Sequence, residues 1–381
     1  NKEYGHAVVA VDDDPTKLNQ TIHGVPVKGT LEDIPDLCKR YGIHSIIIAI
    51  PTLKGSKLNH VIDLCVSTHC AVQLLSDPQL VGSGTPQQGA FRELNPADFL
   101  SRDEVTLDTD QISGYLTGKT VLVTGGGGSI GSELCRQVMR FKPGKLLIFD
   151  IYENCAYELL MELQQKYGRD IPVTVLIGSI RDKKRLDEVF ETYHPTVVFH
   201  AAAHKHVPLM EVSPAEAVKN NVLGTKNLLV SASEHDVERF VQLSTDKAVN
   251  PTSVMGCTKR ICEMLIQTFA GNTDMKCVAV RFGNVLGSHG SVIPLFEAQI
   301  KKGGPVTLTD PNIERYFMTI PEAAQLVLQA GALAESGNIY VLDMGEPVKI
   351  MDLAKQLIRF YGYEPGVNME IKIVGLRPGE K

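Results

Sequence analysis

Four consecutive residues, Ser244-Thr245-Asp246-Lys247, place hydroxyl, carboxyl and amino groups side by side, and all of these groups can exchange protons. They directly follow residues 240–243, a short apolar run that predicts a strand. Met255 and Lys259 come next, four residues apart, so they share one face of a helix. Two interpretations are open at this point. The group is either a catalytic centre or an ordinary helix cap followed by a core methionine.

A second group with chemical meaning is a glycine-rich loop. Gly125, Gly128 and Gly131 lie between a strand predicted at residues 120–123 and a helix predicted from about residue 132 to 140. Missing side chains let a backbone approach a pyrophosphate, whose charge is met by free amides at the helix N-terminus. Asp150 ends the next predicted strand, nineteen residues after Gly131, where a carboxylate accepts both ribose hydroxyls and repels a 2′-phosphate. A glycine run alone could be a flexible loop, but the combination predicts bound NAD rather than NADP.

The elements that must position these side chains alternate regularly. Strands are predicted at residues 120–123, 145–149, 173–177, 196–200, 240–243 and 276–281, separated by helical lengths. This alternation predicts an α/β fold with a doubly wound parallel sheet. After residue 282 the pattern loosens into loops rich in Gly and Pro, which we expect to supply the substrate side of the cleft.

The earlier part of the chain predicts a smaller α/β unit. A strand at residues 7–11 precedes the turn-forming Asp12-Asp13-Asp14-Pro15, helices are predicted at residues 31–41 and 57–68, and an apolar run at 45–50 predicts a buried strand. A Gly, Pro and Gln-rich stretch at 82–89 breaks the pattern. We therefore predict an incomplete N-terminal domain over 1–81, a linking strap over 82–118 and an NAD-binding catalytic domain over 119–381.

Composition limits the function classes. The 381 residues carry a net charge of −6 without long charged runs, which gives no footprint for nucleic acid or a membrane surface. Eight cysteines without CxxC pairs indicate reduced packing residues in a cytoplasmic setting. Histidines such as His194 and His289 show no metal-ligand spacing, so no catalytic metal is predicted. Because the chain starts at Asn1 in what reads as an incomplete unit, we expect a fragment of a longer protein.

From about residue 119 onward the chain resembles the extended short-chain dehydrogenases/reductases, which have a Rossmann fold. More narrowly, it is similar to the membrane-anchored UDP-N-acetylglucosamine 4,6-dehydratases. The segments that carry the resemblance are residues 125–131, His200-Ala201-Ala202-Ala203-His204-Lys205-His206-Val207-Pro208, Asn220-Asn221-Val222-Leu223-Gly224-Thr225, residues 244–247, Arg281-Phe282-Gly283-Asn284-Val285-Leu286-Gly287-Ser288 and Arg377-Pro378-Gly379-Glu380-Lys381. The section around Asp12 also resembles the Rossmann-like domain that precedes the catalytic domain in these enzymes.

The resemblance implies NAD-dependent removal of water across C5 and C6 of the sugar, after oxidation at C4. Asp246 would protonate the C6 hydroxyl, Lys247 would be the base at C5, and Thr245 would hydrogen-bond near the C4 hydroxyl. Lys259 would bind the nicotinamide ribose. Met255 stands where the family superpattern has a tyrosine that takes the C4 proton. We therefore expect Asp246 to take that proton, directly or through water, with relay through Thr245 as the alternative. The methionine indicates a subgroup that retains the C5 configuration.

The resemblance also implies binding residues and partners. The candidate cofactor-binding residues are Gly125, Gly128, Ser129, Ile130, Gly131, Asp150, Ser179, Ile180, Ala201, Ala202, Ala203 and Lys259. Candidate substrate-binding residues for a UDP-sugar are Lys205, His206, Asn221, Asn284, Arg315, Arg377 and Glu380, although His206 could equally serve loop packing. Ser179 occupies the position where the family often has an aspartate that contacts adenine. We expect a homo-oligomer, part of a bacterial protein anchored at the cytoplasmic face of the inner membrane.

Two other functions remain open. A sugar-nucleotide 4-epimerase has the same fold, but epimerisation at C4 needs no C5 base such as Lys247 and depends on the tyrosine that Met255 replaces. A catalytically inactive NAD-binding sensor or scaffold is the second alternative. The joint presence of Thr245, Asp246, Lys247 and Lys259 argues against it.

Overall fold

The computed structural model describes residues 6–50, 55–75, 91–94, 98, 107–288 and 290–380. The stretch at 82–89, the predicted boundary between residues 81 and 82, and His289 and Lys381 lie outside the described residues, and the predicted domain boundaries stay predictions. Contacts divide the chain into two compact units. The first contains Asn1–Asp103, Leu295–Glu314 and Val348–Val374, and the second contains Glu104–Pro294, Arg315–Pro347 and Gly375–Lys381.

Strands and helices alternate through most of the described chain. The strands are β1 Ala10–Val11, β2 Thr21–Ile22, β3 Val25–Gly29, β4 Ser45–Ile48, β5 Ala71–Leu75, β6 Phe91–Glu93, β7 Thr120–Thr124, β8 Lys145–Asp150, β9 Val173–Ile177, β10 Val197–His200, β11 Arg239–Leu243, β12 Lys276–Arg281, β13 Asn284–Val285, β14 Val306–Leu308, β15 Glu314–Arg315, β16 Phe317–Met318, β17 Ile339–Val341, β18 Val348–Lys349 and β19 Ile371–Ile373. The helices are α1 Ile34–Tyr41, α2 Gly55–Val66, α3 Thr109–Leu116, α4 Ser129–Arg140, α5 Glu153–Tyr167, α6 Lys183–Tyr193, α7 Val207–Val212, α8 Pro214–Ala217, α9 Gly224–Glu234, α10 Val254–Ala270, α11 Val292–Lys301, α12 Ile320–Leu333 and α13 Ile350–Phe360.

The second unit contains a seven-stranded sheet in the order β17-β12-β11-β10-β7-β8-β9, with every neighbouring pair parallel. The order reverses direction on either side of β7, which confirms the predicted doubly wound parallel sheet. In such sheets ligands bind outside the carboxyl ends of the strands, at the point where the order reverses. Here that point lies between β7 and β10.

Apolar residues cover both faces of this sheet, as the nearly continuous apolar strands require. In β7, Val121 and Val123 belong to one buried cluster and Leu122 belongs to the other, because successive side chains point to opposite faces. Helix α3 lies inside the segment interpreted as a strap, yet its Tyr115 is buried and donates a hydrogen bond to the carbonyl oxygen of Leu328, at 2.8 Å. This helix therefore packs within the second unit.

The first unit contains two three-stranded sheets, β1-β3-β2 and β4-β5-β6, and the parallel pair β14-β19. Two sequence predictions need correction here. The strand predicted at residues 7–11 is only β1, because its ladder with β3 begins at Ala10. The strand predicted as buried at residues 45–50 ends at Ile48, and Ile47 is 39% exposed, so it is not covered on both faces by the described residues.

Helices α2 and α13 belong to this same first unit although they are far apart in the sequence. Asp63 of α2 accepts a hydrogen bond from the Gln356 side chain of α13, at 3.3 Å. Burial raises the pKa of Asp63, and the hydrogen bond from Gln356 acts in the opposite direction. Within the described ranges, no helix combines the length and the apolar character that crossing a bilayer needs.

Candidate active site

The glycine-rich loop joins β7 to α4 at the reversal point of the sheet. Gly125 has a φ of +66°, and a Cβ there would lie 2.7 Å from the backbone nitrogen of Ala202. A Cβ on Gly131 would collide with the carbonyl oxygen of Gly125. Glycine is therefore required for backbone conformation at the first position and for close packing at the second. Helix α4 begins at Ser129, three residues before the predicted start.

Asp150, at the end of β8, faces this loop. Its Oδ2 accepts a hydrogen bond from the backbone N–H of Gly127 at 2.9 Å, and its Oδ1 accepts one from Tyr152 at 2.9 Å. The carboxylate is thus fixed in orientation beside the glycine loop. That is the arrangement expected of a carboxylate that accepts ribose hydroxyls next to a pyrophosphate site.

A cavity of about 210 Å³ opens beside the loop and brings together residues from four strand ends. Its predicted cofactor-binding residues are Gly125, Gly128, Asp150, Ser179, Ile180, Ala201, Ala202 and Ala203. The remaining lining residues, which were not predicted, are Phe149, Ile151, Gly178, His204 and Asn220. Ser129, Ile130 and Gly131 lie instead in the first turn of α4. The glycine-rich loop at residues 125–131, called the glycine cradle below, fits the pyrophosphate of a dinucleotide. The fixed carboxylate of Asp150 and this cavity fit its adenosine.

The group Thr245-Asp246-Lys247 follows β11 and forms a connected set of side chains. Oδ1 of Asp246 accepts hydrogen bonds from Thr245 Oγ1 at 2.8 Å and from Lys247 Nζ at 3.0 Å. Lys247 Nζ also donates to Asn284 Oδ1 at 3.3 Å. The Asp246 and Lys247 side chains are 41% and 34% exposed, so a carboxylate and an amine are both accessible to a ligand.

Met255 and Lys259 share one face of α10 but have different surroundings. Lys259 is 7% exposed and its Nζ donates to the carbonyl oxygen of Leu243, at 2.6 Å. Burial lowers the pKa of Lys259. Met255 is 3% exposed and packs in a small apolar cluster with Val207, Met210 and Ala217. Its thioether therefore lies in an apolar environment and offers no proton acceptor.

Among the predicted substrate-binding residues, Asn221 is buried and supports a loop, whereas Lys205 is exposed. Asn221 is buried, and its amide group bonds the backbone N–H and carbonyl of His204 at 2.8 and 3.0 Å and Thr258 Oγ1 at 3.0 Å. It therefore holds the loop that carries Lys205 and His206. Lys205 remains accessible, although desolvation by the surrounding protein lowers its pKa.

The remaining charged candidates lie near one another in the second unit. Desolvation lowers the pKa of His206, and the charges of Lys205 and Arg377 lower it further. Glu380 Oε1 accepts a hydrogen bond from Arg377 Nε at 2.9 Å. Desolvation alone would raise the pKa of Glu380, but the bonds from Arg377 and the charge of Arg315 lower it. The result is a group of basic side chains suited to the phosphates of a sugar nucleotide.

Two buried residues that support the site were not predicted. His200, at the end of β10, is 0% exposed and lies between Thr124 Oγ1 and Thr225 Oγ1, at 2.7 and 2.9 Å. Burial lowers the pKa of His200 to about 3, so this ring is neutral near pH 7. Glu263 is also 0% exposed and follows Lys259 by four residues. The helical repeat 255, 259, 263 was the signal that could have found it.

The sequence profile of a family described as "Polysaccharide biosynthesis protein" matches residues 121–381. The chain is 53% identical over 378 residues to the capsular polysaccharide biosynthesis protein CapD of Staphylococcus aureus, covering 98% of this chain and 63% of CapD. It is 33% identical to a protein of Campylobacter jejuni named UDP-N-acetylglucosamine 4,6-dehydratase (inverting), over 69% of this chain and 75% of that protein. It is also 36% identical to a Rickettsia canadensis protein named UDP-glucose 4-epimerase, over 69% and 76%.

Among solved structures, that of Pen from Bacillus thuringiensis resembles this chain with a TM-score of 0.65 and 36% sequence identity. The likeness covers 70% of this chain and 82% of Pen.

Proposed function

Because the chain belongs to the polysaccharide biosynthesis protein family, we propose that it is an NAD-dependent 4,6-dehydratase. Its substrate is UDP-N-acetylglucosamine and its product is UDP-2-acetamido-2,6-dideoxy-4-hexulose, with the C5 configuration retained. One observation carries the proposal: an accessible carboxylate, Asp246, and an accessible amine, Lys247, lie 3.0 Å apart at the carboxyl edge of the sheet that also carries the glycine cradle. The name of the Campylobacter relative supports the substrate class.

The glycine cradle and Asp150 would hold the cofactor, and Lys259 would bind its nicotinamide ribose. When bound, NAD supplies the hydride acceptor for C4 of the sugar and later the hydride donor for C6. Oxidation at C4 is needed because the C5 proton becomes acidic only when it is α to a carbonyl. Ala201, Ala202 and Ala203 carry small side chains, which leaves room for the cofactor against the end of β10.

The protein's own groups move the protons. Asp246 takes the proton of the C4 hydroxyl, directly or through water, with relay through Thr245 as the alternative route. Lys247 removes the C5 proton. The C6 oxygen leaves as water with the proton that Asp246 has held, and Lys247 returns its proton to C5 on the same face. One water is lost in total, and retention follows because one group serves C5 in both steps.

The alternative of a 4-epimerase is favoured by the Rickettsia relative's name. Two residues weigh against it. Lys247 supplies a C5 base that epimerisation at C4 does not use, and Met255 lies buried in an apolar cluster with no group that could take the C4 proton. An inactive sensor is disfavoured because Thr245, Asp246 and Lys247 are bonded to one another and remain accessible.

The deciding experiment incubates the protein with UDP-N-acetylglucosamine and NAD in D₂O and follows the product by mass spectrometry and NMR. The proposal expects loss of one water, a new C6 methyl signal, deuterium at C5 and a retained C5 configuration. The Lys247→Ala variant should abolish all four while still binding NAD. A product of unchanged mass with inverted C4 would favour the epimerase, and NAD binding without turnover would favour the sensor.

A further inference from the structure

Glu263, in the middle of α10, is a fully buried carboxylate that has no place in the proton transfers described above. Its side chain is 0% exposed and accepts four hydrogen bonds. Arg281 Nε and Nη2 donate to its two oxygens at 2.6 Å each. Ser244 Oγ donates to Oε1 at 2.6 Å, and Arg260 Nη1 donates to Oε2 at 3.0 Å.

These bonds join three elements that carry the candidate site. Ser244 is the residue directly before Thr245, and Arg281 ends β12, three residues before Asn284. Lys259 lies one helical turn before Glu263 and bonds the carbonyl oxygen of Leu243, the last residue of β11. The carboxylate therefore connects the helix that carries Lys259 to the strand ends that carry the proton-transferring side chains.

The charges around Glu263 explain why it is ionised in the interior. Burial alone would raise the pKa of Glu263, but hydrogen bonds from Arg281, Ser244 and Arg260 lower it. The same carboxylate acts on Lys259, since its charge raises the lysine pKa that burial lowers. A buried carboxylate bonded on all sides is rigid, and removing it leaves Arg281 with an uncompensated charge.

We propose that Glu263 is a positioning residue. It fixes the position of Lys259 relative to the segment from Ser244 to Lys247, so that the cofactor and the sugar bind in the relative positions that the reaction needs. This inference rests on the proposed function for the roles of Lys259 and Lys247. It differs from a purely structural ion pair because it ties cofactor binding and turnover to the same carboxylate.

The test compares Glu263→Gln with a matched control, Glu162→Gln, in the full chain. Glu162 likewise accepts hydrogen bonds from two guanidinium nitrogens, Nε and Nη2 of Arg136, at 2.7 and 2.8 Å, but it lies on the surface. Equilibrium dialysis gives the Kd for NAD, and steady-state kinetics with UDP-N-acetylglucosamine give kcat and KM. We expect Glu263→Gln to weaken NAD binding and to lower kcat by about tenfold or more each, whereas the control matches the original protein.

A second variant separates positioning from simple charge balance and serves if Glu263→Gln does not fold. In Glu263→Gln/Arg281→Gln the buried pair is neutral, so folding should recover, as measured by thermal unfolding. The proposal expects NAD binding to stay weak, because the carboxylate bonds that join α10 to Ser244 and to Arg281 are still absent. Recovery of both NAD binding and turnover would overturn it, as would a single variant that behaves like the control. If the original protein binds NAD but does not convert UDP-N-acetylglucosamine, the dehydratase proposal fails. The Kd for NAD of Glu263→Gln, compared with that of the control, then still tests the role of Glu263.

Discussion

At the scale of single residues, the proposed chemistry depends on which side chains can hold a proton and which cannot. Asp246 and Lys247 are accessible and bonded to each other, whereas Met255 is enclosed by Val207, Met210 and Ala217. In the proposed mechanism Met255 takes no proton. The proton that a tyrosine would take goes to Asp246, whose carboxylate accepts hydrogen bonds from Thr245 and Lys247.

We expect Met255→Leu to keep the protein active. Leucine conserves volume in the apolar cluster, so the free energy of unfolding should change by less than about 1.5 kcal/mol. Because the thioether takes no proton, kcat should remain close to that of the original protein. Thermal unfolding and product formation would be measured side by side. Lost turnover with unchanged stability and unchanged NAD binding would mean that the methionine contacts the reacting atoms.

His200 predicts a pH dependence of stability. Burial lowers its pKa to about 3 in the folded protein, from an ordinary value of 6.5. As the pH falls from about 6.5 towards 3, the unfolded chain binds a proton that the folded protein does not, so the free energy of unfolding decreases with falling pH. In His200→Gln the free energy of unfolding should fall less steeply with decreasing pH, by up to about 1.4 kcal/mol per pH unit. Urea unfolding at pH 6 and pH 4 would measure this difference in slope. Equal slopes would show that His200 titrates normally in the fold.

At the scale of elements, the connection between β7 and α4 shows how a loop becomes a cradle. The positive φ of Gly125 turns the chain out of the sheet, and the missing side chain of Gly131 lets α4 approach the loop. Both constraints are local, which is why the glycine spacing was informative in the sequence. The start of α4 was predicted three residues late because the sequence pattern does not show where the helical hydrogen bonds begin.

We expect Gly131→Ala to distort this connection. The added methyl group would strike the carbonyl oxygen of Gly125, costing about 1–3 kcal/mol of stability and weakening NAD binding. The matched control is Gly114→Ala in α3, where a Cβ would meet nothing within 4 Å. That change should stabilise the helix by about 0.5–1 kcal/mol. Calorimetry and NAD binding would measure both, and an undisturbed Gly131→Ala protein would contradict the cradle.

Sequence patterns predicted the strands of the large sheet well, because each strand is a short apolar run bounded by turns. Strands β9 and β12 have the predicted bounds, Asp150 ends β8 as expected, and Lys247 follows β11, which ends at Leu243. The sequence did not reveal β17, which is only three residues long and lies in a region of loose pattern. It also missed His200 and Glu263, since a buried polar side chain is recognised by its partners, which come from distant parts of the chain.

At the scale of the whole molecule, the two units are not successive stretches of sequence. The first unit gathers the early residues together with Leu295–Glu314 and Val348–Val374, so α2 and α13 share it. The hydrogen bond between Asp63 and Gln356 spans 293 residues of sequence. Periodicity reports local structure only, which explains why no sequence pattern linked the late segments to the early ones.

Local unfolding can test this division. Ile62 is 0% exposed in α2, and Ile62→Ala should cost about 2–5 kcal/mol by leaving a cavity in the first unit. Because α13 belongs to that unit, hydrogen exchange should accelerate in Ile350–Phe360 as well as in α2, while β7 and β11 keep their protection. The reciprocal variant, Leu122→Ala in β7, is equally buried and should give the opposite pattern. If hydrogen exchange in α13 stayed as slow in Ile62→Ala as in the original protein, the stability of α13 would not depend on α2. The first unit would then not unfold as one cooperative body.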